Sequence, residues 1–340
     1  MDGDGANHLT LSAFLDRWLD EYAKHRCTAK TLERYVTLAR HATKFLGESE
    51  LQSLAPLPIE SMLNNLLDSG GRKDETHPNG RPLSPRTVRH IAFLIHDSFE
   101  SAVRWGILPA NPMDRVVLPK AEKKEIRVLD KQGLSQLLGT VKGTTLFPLF
   151  VTAASTGCRR GELLALEWQD IDFQSGMMTV SKSLEQTKSG LRIKSTKSGK
   201  VRRFPLPSVA LGVLLQHRRN ESLENSIEPN GKNRGLVFCG RGGDYYKPDQ
   251  ISSKVAEVMA KAGLCGVSLH SFRHGHASQL LSEGVPIPTV SKRLGHANPT
   301  ITLKLYSHAL ESDELAAAQR WDDAFADVIL VHTNPSPQGT

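Results

Sequence analysis

One segment of the chain, Pro119 to Arg127, carries many charges and almost no apolar residues. It follows the turn signal Asn111-Pro112, and a segment of this composition cannot contribute to a hydrophobic core. Because 340 residues exceed one average domain, the segment predicts two domains joined by a basic linker. We expect a first domain at 9–118, the linker at 119–128, a second domain at 129–311, and a C-terminal helix and tail at 312–340.

Apolar residues in the first of these regions recur at the spacing of amphipathic helices. The pattern predicts helices at 11–26 and 29–45, a third after Pro58, and a fourth at 85–105 that opens with the cap signature Ser84-Pro85. Residues 69–83 are turn formers and charges without a period, which predicts a mobile loop. The first domain is therefore expected to be all-α.

The second region mixes helical and strand patterns. Short alternating runs predict strands at 177–181, 191–194 and 201–205, with a further short strand at 236–238. Helices are predicted at 130–141, 146–154, 207–224, 248–262, 270–283, 287–294, 299–309 and 313–330. The expected fold class is mainly α, with a small antiparallel sheet in the second domain (α+β).

The composition favours an intracellular protein with a polyanionic partner. The net charge is +7, no run of about 18 apolar residues is present to span a bilayer, and the N-terminus is too acidic for a secretory signal. The four cysteines show no Cys-x-x-Cys spacing, so neither a disulfide framework nor a thiolate zinc site is indicated. A cytoplasmic location without membrane association is expected.

Basic residues are concentrated in two places. Between Lys182 and Arg203 there are eight Lys and Arg residues and a single acid, Glu185, which favours phosphate contact over simple solvation. The helix at 85–105 also presents arginines on its polar face, where a solvated surface is the simpler interpretation. The candidate phosphate contacts are Arg86, Arg89, Lys194, Lys200 and Arg202.

A histidine-rich stretch contains His270-x-x-Arg273, a spacing that puts both side chains on one helix face, where they can reach one ligand. The i, i+4 pair of His270 and His274 raises the alternative of a metal site. An arginine on the same turn repels a cation, and no Asp or Glu lies within ten residues of His270. We therefore expect no metal at this stretch.

Three further elements complete the set. Arg159 and Glu162 stand at the start of a predicted helix, His296 follows Gly295 in a tight turn between helices, and Tyr306 lies near the end of the next helix. Taken singly, each has an ordinary explanation, since a tyrosine beside leucines is usually core packing. Their conjunction is what points to a shared site.

In this combination the sequence resembles the tyrosine recombinase family, also called the phage integrase family. The family motifs are an arginine in Thr-Gly-x-Arg, a hairpin lysine, His-x-x-Arg, a histidine after Leu-Gly, and a nucleophilic tyrosine. They match, in order, Arg159, Lys197, His270, Arg273, His296 and Tyr306. Arg160 directly follows Arg159, so that assignment depends on the Thr-Gly-x-Arg register, and Lys194 and Lys200 are alternatives to Lys197.

The resemblance implies an enzyme that cleaves and rejoins DNA without metal or nucleotide, through a 3'-phosphotyrosyl intermediate. It implies that Tyr306 attacks the scissile phosphate, Arg159 and Arg273 clamp its oxygens, His270 transfers the proton of Tyr306, His296 donates a hydrogen bond, and Lys197 protonates the leaving 5'-oxygen. It also implies a helical core-binding domain followed by a catalytic domain. Glu162 is interpreted as an orienting partner for an active-site arginine, and His274 and His276 are left out of the site.

The main hypothesis is a site-specific recombinase or integrase of a phage or other mobile element, acting on double-stranded recombination sites. The alternatives are a chromosome-dimer resolving recombinase of the same family, a catalytically inactive DNA-binding relative, and a type IB topoisomerase with the same chemistry. The family pattern implies a homotetramer on DNA and leaves room for an accessory DNA-bending protein. The helix at 315–330, with Trp321 and Phe325, is expected to pack either within its own chain or onto a neighbour.

Overall fold

The computed structural model describes residues 9–122, 129–197, 199–227, 234–306 and 318–325, with the backbone alone described for 223–227, 241 and 304–306. The chain forms two compact units, Met1–Glu125 with Thr187–Gly190, and Ile126–Gln186 with Leu191–Thr340. Part of the predicted linker, residues 123–128, lies outside the described residues. Within the described part of the chain, no helix is both long and apolar enough to cross a membrane.

The first unit is built from four main helices: α1 (Leu11–Arg17), α2 (Ala29–Leu46), α3 (Pro56–Ser69) and α4 (Pro85–Arg104). Three of them begin where a hydroxyl side chain, from Thr10, Thr28 or Ser84, accepts a hydrogen bond from a backbone N–H of the first turn. The apolar faces of all four helices enclose one core around the fully buried rings of Phe14 and Phe99. The helices therefore follow the predicted amphipathic pattern.

The mobile loop was predicted at 69–83, but Ser69 is the last residue of α3 and residues 70–83 form a series of turns around Asp74. Its carboxylate accepts hydrogen bonds from the hydroxyl of Thr76 and the backbone N–H of His77, and it pairs with Arg81. The Thr76 hydroxyl and these partners hold the pKa of Asp74 well below its ordinary value. The loop thus has local polar order that a search for apolar periodicity cannot detect.

The second unit combines short strands with helices. Its strands are β1 (Ile171–Asp172), β2 (Met177–Val180), β3 (Lys182–Thr187), β4 (Gly190–Ser195) and β5 (Arg202–Pro205). Its helices are α5 (Lys131–Val141), α6 (Phe147–Thr156), α7 (Arg160–Leu163), α8 (Ser208–Ile227), α9 (Pro248–Lys261), α10 (Leu269–Ser282), α11 (Ile287–Leu294) and α12 (Pro299–Tyr306). Residues 318–325 form a further helical segment.

The strands form two antiparallel sheets where one was predicted. The first has the order β1-β2-β5, with Met178 opposite Ile171 on one side and Phe204 on the other. The second is the β3-β4 hairpin, whose first strand was not predicted because Lys182–Thr187 contains one apolar residue, Leu184. Leu236, predicted to lie in a strand, forms only a single bridge with Glu167.

Two helix ends set up the site. Helix α6 ends at Gly157 and helix α11 at Gly295, both in the left-handed conformation with φ of 63° and 66°. A Cβ on Gly157 would lie 2.8 Å from Leu294 Cδ2, so a larger residue there would require the Leu294 side chain to shift, in addition to the strain of a positive φ. Gly47, which follows the end of α2, instead has a right-handed φ of −57°.

Candidate active site

Arg159 occupies the N-cap of α7, immediately after the turn that ends α6. Its backbone N–H donates to Oε2 of Glu162 at 2.9 Å, and its Nη1 donates to Oε1 of the same carboxylate at 3.0 Å. Its Nη2 donates to the carbonyl of Gly295 at 3.3 Å. The orienting role predicted for Glu162 is consistent with these contacts, which hold Arg159 between two turns.

Arg202, predicted to contact DNA, lies in the interior with 6% of its surface exposed. Arg202 and Phe204 both face the core from β5, whereas Arg203, between them, faces outward. Its Nη2 donates to Oε2 of Glu162 at 2.6 Å, its Nη1 to Oε1 at 3.1 Å, and its Nε to the carbonyl of Arg293 at 3.0 Å. A guanidinium held this way supports Glu162 and does not face a DNA backbone.

Glu162 is therefore a buried carboxylate shared by two arginines. Desolvation raises its pKa, but the hydrogen bond and charge of Arg202, together with those of Arg159, outweigh burial and bring the pKa below its ordinary value. The carboxylate stays ionised, and it compensates a positive charge that would otherwise be buried alone. The supporting role of Arg202 was not predicted, although its spacing of two from Phe204, and of Phe204 from Leu206, indicates a shared strand face.

Arg273, on the buried face of α10, connects the same two turns. Its Nη1 donates to the carbonyl of Gly157 at 3.0 Å, and its Nη2 to the carbonyl of Leu294 at 2.7 Å. These carbonyls lie at the ends of α6 and α11, where backbone acceptors lack helical partners and a cation is favourable. Desolvation and the charge of Arg159 lower the Arg273 pKa to about 10, which leaves the side chain protonated at neutral pH.

His270 also lies on α10, where it is exposed at the surface near the cations of Arg273 and Arg159. Partial desolvation and the charges of Arg273, Arg159 and Lys197 lower its pKa below the ordinary histidine value. The imidazole is therefore neutral near pH 7 and can accept a proton. Lys197 is exposed beside a turn closed by the hydrogen bond from Gly199 N–H to the carbonyl of Thr196.

His296 lies in the turn between α11 and α12, and its Nδ1 is 2.8 Å from the hydroxyl of Thr302. Desolvation and the charges of Arg273 and Arg159 lower its pKa to about 4. The ring is thus neutral at working pH, with one nitrogen that donates and one that accepts. Tyr306 is the last residue of α12, and its side chain lies outside what the structure describes.

The neighbouring residues left out of the predicted site have other surroundings. Arg160 points toward α9, where it donates to the carbonyl of Pro248 at 3.0 Å and to Ser252. His276 Nδ1 is 3.1 Å from the carbonyl of Ala154, while its Nε2 is 3.1 Å from Nε of Arg293, so this ring also links helices. The His274 ring is buried and packs edge-on against the His270 ring, with 4.7 Å between the ring centroids.

The other candidate DNA contacts lie at or near the surface. Arg86 is exposed on α4, and Arg89 donates to the carbonyl of Pro119 at 3.2 Å while lying over the Phe93 ring. Lys194 on β4 pairs with Glu185, which also binds Arg192, and Lys200 is exposed beyond the hairpin. The single acid of the basic segment thus neutralises part of its charge.

The arrangement defines a class of site: fixed cations and neutral imidazoles around a place where an anion can bind. Residues 127–313 match the model of the phage integrase family, which is more than half of the chain. The chain therefore belongs to the phage integrase family and is a tyrosine-type site-specific DNA recombinase, which confirms the predicted family and enzyme class.

Two relatives show the range of the family. The chain is 27% identical to a "Tyrosine recombinase XerC-like" protein of Caldanaerobacter subterraneus subsp. tengcongensis, over 93% of this chain and 84% of the relative. It is 25% identical to the ICEBs1 integrase of Bacillus subtilis, over 86% of this chain and 76% of the relative. Both alignments extend well beyond the segment that matches the family model.

Solved structures confirm the predicted fold class. The integrase of the transposon Tn1549 in complex with a circular intermediate DNA superposes with a TM-score of 0.77 at 19% identity, covering 92% of this chain and 99% of that one. A lambda integrase tetramer bound to a Holliday junction gives a TM-score of 0.64 at 20% identity, covering 88% and 80%. At this identity the likeness concerns the fold alone.

Proposed function

We propose that this recombinase is an integrase of a phage or other mobile element, and that it cuts DNA with Tyr306. The observation that carries the proposal is the set of contacts through which Arg159 and Arg273 hold together the turns at Gly157 and Gly295. The helix that leaves the second turn ends at Tyr306. The similarity to the ICEBs1 and Tn1549 integrases supports a mobile element as the source.

In the proposed reaction the Tyr306 oxygen attacks the scissile phosphorus and the bond from phosphorus to the 5'-oxygen breaks. Neutral His270 accepts the phenolic proton, because a phenol with a pKa of about 10 is otherwise a poor nucleophile at neutral pH. Lys197 donates a proton to the departing 5'-oxygen. The product is a 3'-phosphotyrosyl link, which conserves the bond so that a second 5'-hydroxyl can reverse the step on another strand.

The two arginines provide positive charge where the transition state gains negative charge. A guanidinium has five N–H donors, and the contacts described above use two on each of Arg159 and Arg273. The remaining donors can bind the nonbridging phosphate oxygens, and the charges are already in place before DNA arrives. The mechanism assigns no step to a metal ion or other cofactor.

We further propose that residues 9–118 are the core-binding domain and 129–311 the catalytic domain, with Arg86, Arg89, Lys194 and Lys200 contacting phosphates. A homotetramer on two DNA duplexes is proposed by analogy with the lambda integrase tetramer. The Trp321 and Phe325 rings in the segment 318–325 contact each other at 4.3 Å and are 58% and 43% exposed. An exposed aromatic pair supports packing of this helix onto a neighbouring protomer.

The test uses a nicked suicide duplex carrying a recombination site that the wild-type protein binds specifically. Wild-type protein should form a covalent adduct that survives denaturation, and Tyr306→Phe should form none while still binding the duplex. Absence of an adduct from wild type on a duplex that it binds specifically would contradict catalysis and favour an inactive DNA-binding relative. Relaxation of supercoils without dependence on the site would instead favour a topoisomerase.

The pH dependence of adduct formation should reflect His270. Its pKa lies below the ordinary value, so the proton-accepting form persists to lower pH than in a free histidine. At subsaturating DNA, the second-order rate constant should fall on the acid side with a midpoint below about 6.5. His270→Gln should remove this limb. A midpoint at or above the ordinary value in wild type would contradict the interpretation of His270 as a base in a cationic site.

A further inference from the structure

A hydrogen bond between the side chains of His296 and Thr302 joins the turn after α11 to the first turns of α12. Thr302 is 0% exposed, and its Oγ1 lies 2.8 Å from His296 Nδ1. A threonine inside a helix commonly donates to the carbonyl four residues earlier, yet this hydroxyl is directed at the imidazole. The contact is therefore specific to the histidine and is not a routine feature of a helix.

The direction of this hydrogen bond can be assigned from its surroundings. Among the residues that the structure describes, the Thr302 hydroxyl has no hydrogen-bond partner other than His296. If Nδ1 carried the imidazole proton, the hydroxyl proton would be buried without an acceptor, a penalty equivalent to about 5- to 150-fold in population. The hydroxyl therefore donates, Nδ1 accepts, and a neutral ring must carry its proton on Nε2.

We propose that Thr302 is a positioning residue that holds His296 in the Nε2–H tautomer, so that this nitrogen donates a hydrogen bond to the scissile phosphate. The opposite tautomer would direct a lone pair at the phosphate oxygens. The ring is neutral at working pH because desolvation and the charges of Arg273 and Arg159 disfavour its protonation. The doubly protonated ring, which would donate from Nε2 in any case, is therefore not the form that meets the phosphate. The effect on catalysis rests on the proposed function, whereas the tautomer is a property of the protein without DNA.

The tautomer is tested first without DNA. Long-range nitrogen-proton NMR spectra of the full-length protein labelled with ¹⁵N-histidine distinguish a protonated nitrogen from an unprotonated one, and His296→Gln identifies the signals. We expect an unprotonated Nδ1 and a protonated Nε2 in wild type and in Thr302→Ser. Thr302→Val, which keeps the shape and removes the hydroxyl, should lose this preference. A protonated Nδ1 in wild type would overturn the proposal, whatever the activity of the enzyme.

Adduct formation on the suicide duplex is the second measurement. Thr302→Val should slow it by about 10- to 100-fold, and Thr302→Ser should restore the rate to within about threefold of wild type. In a His296→Gln background the same Val substitution should change the rate by less than about twofold, because its only effect acts through the imidazole.

The outcomes separate the two claims. An equal slowing by Thr302→Val in the His296→Gln background would indicate a packing defect and overturn the positioning role. If wild type is active and Thr302→Val is equally fast, the inference fails while the proposed function stands. If wild type forms no adduct, the proposed function fails, and the NMR result alone decides the tautomer.

Discussion

Replacing Arg202 with methionine should lower the free energy of unfolding by about 3–5 kcal/mol, because the substitution leaves the buried Glu162 carboxylate without one of its two arginines. Methionine fills much of the same volume, so the loss reports the charge and not a cavity. Chemical denaturation at neutral pH measures the change. A loss below about 1 kcal/mol would mean that the pair contributes no more than an exposed ion pair.

The same variant has a defined pH dependence. In wild type the folded-state pKa of Glu162 is depressed, so its stabilisation is complete above the ordinary carboxyl pKa and is lost as the pH falls through the folded value. The difference in the free energy of unfolding between wild type and Arg202→Met should therefore be largest near neutral pH and should become smaller in acid. A difference in the free energy of unfolding that stays constant down to acid pH would contradict an origin in the ionised Glu162 carboxylate.

Two controls are available in the chain. Arg203 is the next residue on β5, its side chain is 57% exposed, and it lies 3.5 Å from Asp172. Arg203→Met should change stability by no more than about 0.5 kcal/mol. The double variant Arg202→Met with Glu162→Gln should lose less than the sum of its single variants, since the unpaired charge is then absent.

Arg159→Lys should reduce the rate of covalent cleavage by about 10²–10³-fold. Lysine keeps the charge but has no planar fork, so it cannot bind Glu162 and the Gly295 carbonyl while also facing a phosphate. Adduct formation on the suicide duplex measures the loss, and denaturation curves show whether the variant is folded.

The neighbouring arginine provides the matched control. Arg160 donates to Pro248 and Ser252 on the side of α9, so Arg160→Lys should cleave within about threefold of wild type. A larger loss at Arg160 than at Arg159 would reverse the assignment made from the Thr-Gly-x-Arg register.

Local signals in the sequence predicted much of the fold because they act over a few residues. Ser84 was predicted as a helix cap, and its hydroxyl accepts a backbone hydrogen bond at the start of its helix. The stop at Gly295 was predicted from the same kind of signal. Strand β3 was missed because a surface hairpin that is largely polar carries too few apolar residues to show a period.

The candidate site divides in a similar way. Motif spacing predicted Arg159, His270, Arg273 and His296 as site residues, and the structure brings Arg159 and Arg273 to the same two turns. The location of Arg202 could not be predicted from charge density, because a strand directs adjacent arginines to opposite faces and only tertiary structure supplies the buried carboxylate. The catalytic roles of Arg159, His270, Arg273, His296 and Tyr306 stay predictions.

The arginine contacts that assemble the site join distant parts of the chain: 116 residues separate Arg273 from Gly157, and 136 separate Arg159 from Gly295. Contacts of such long range form late in folding, since loop closure must precede them. During synthesis the helices of the first unit emerge before those of the second, and Arg159 emerges well before the turn at Gly295. A nascent or partly unfolded molecule therefore has these arginines dispersed, and the proposed DNA cleavage requires the second unit to be folded.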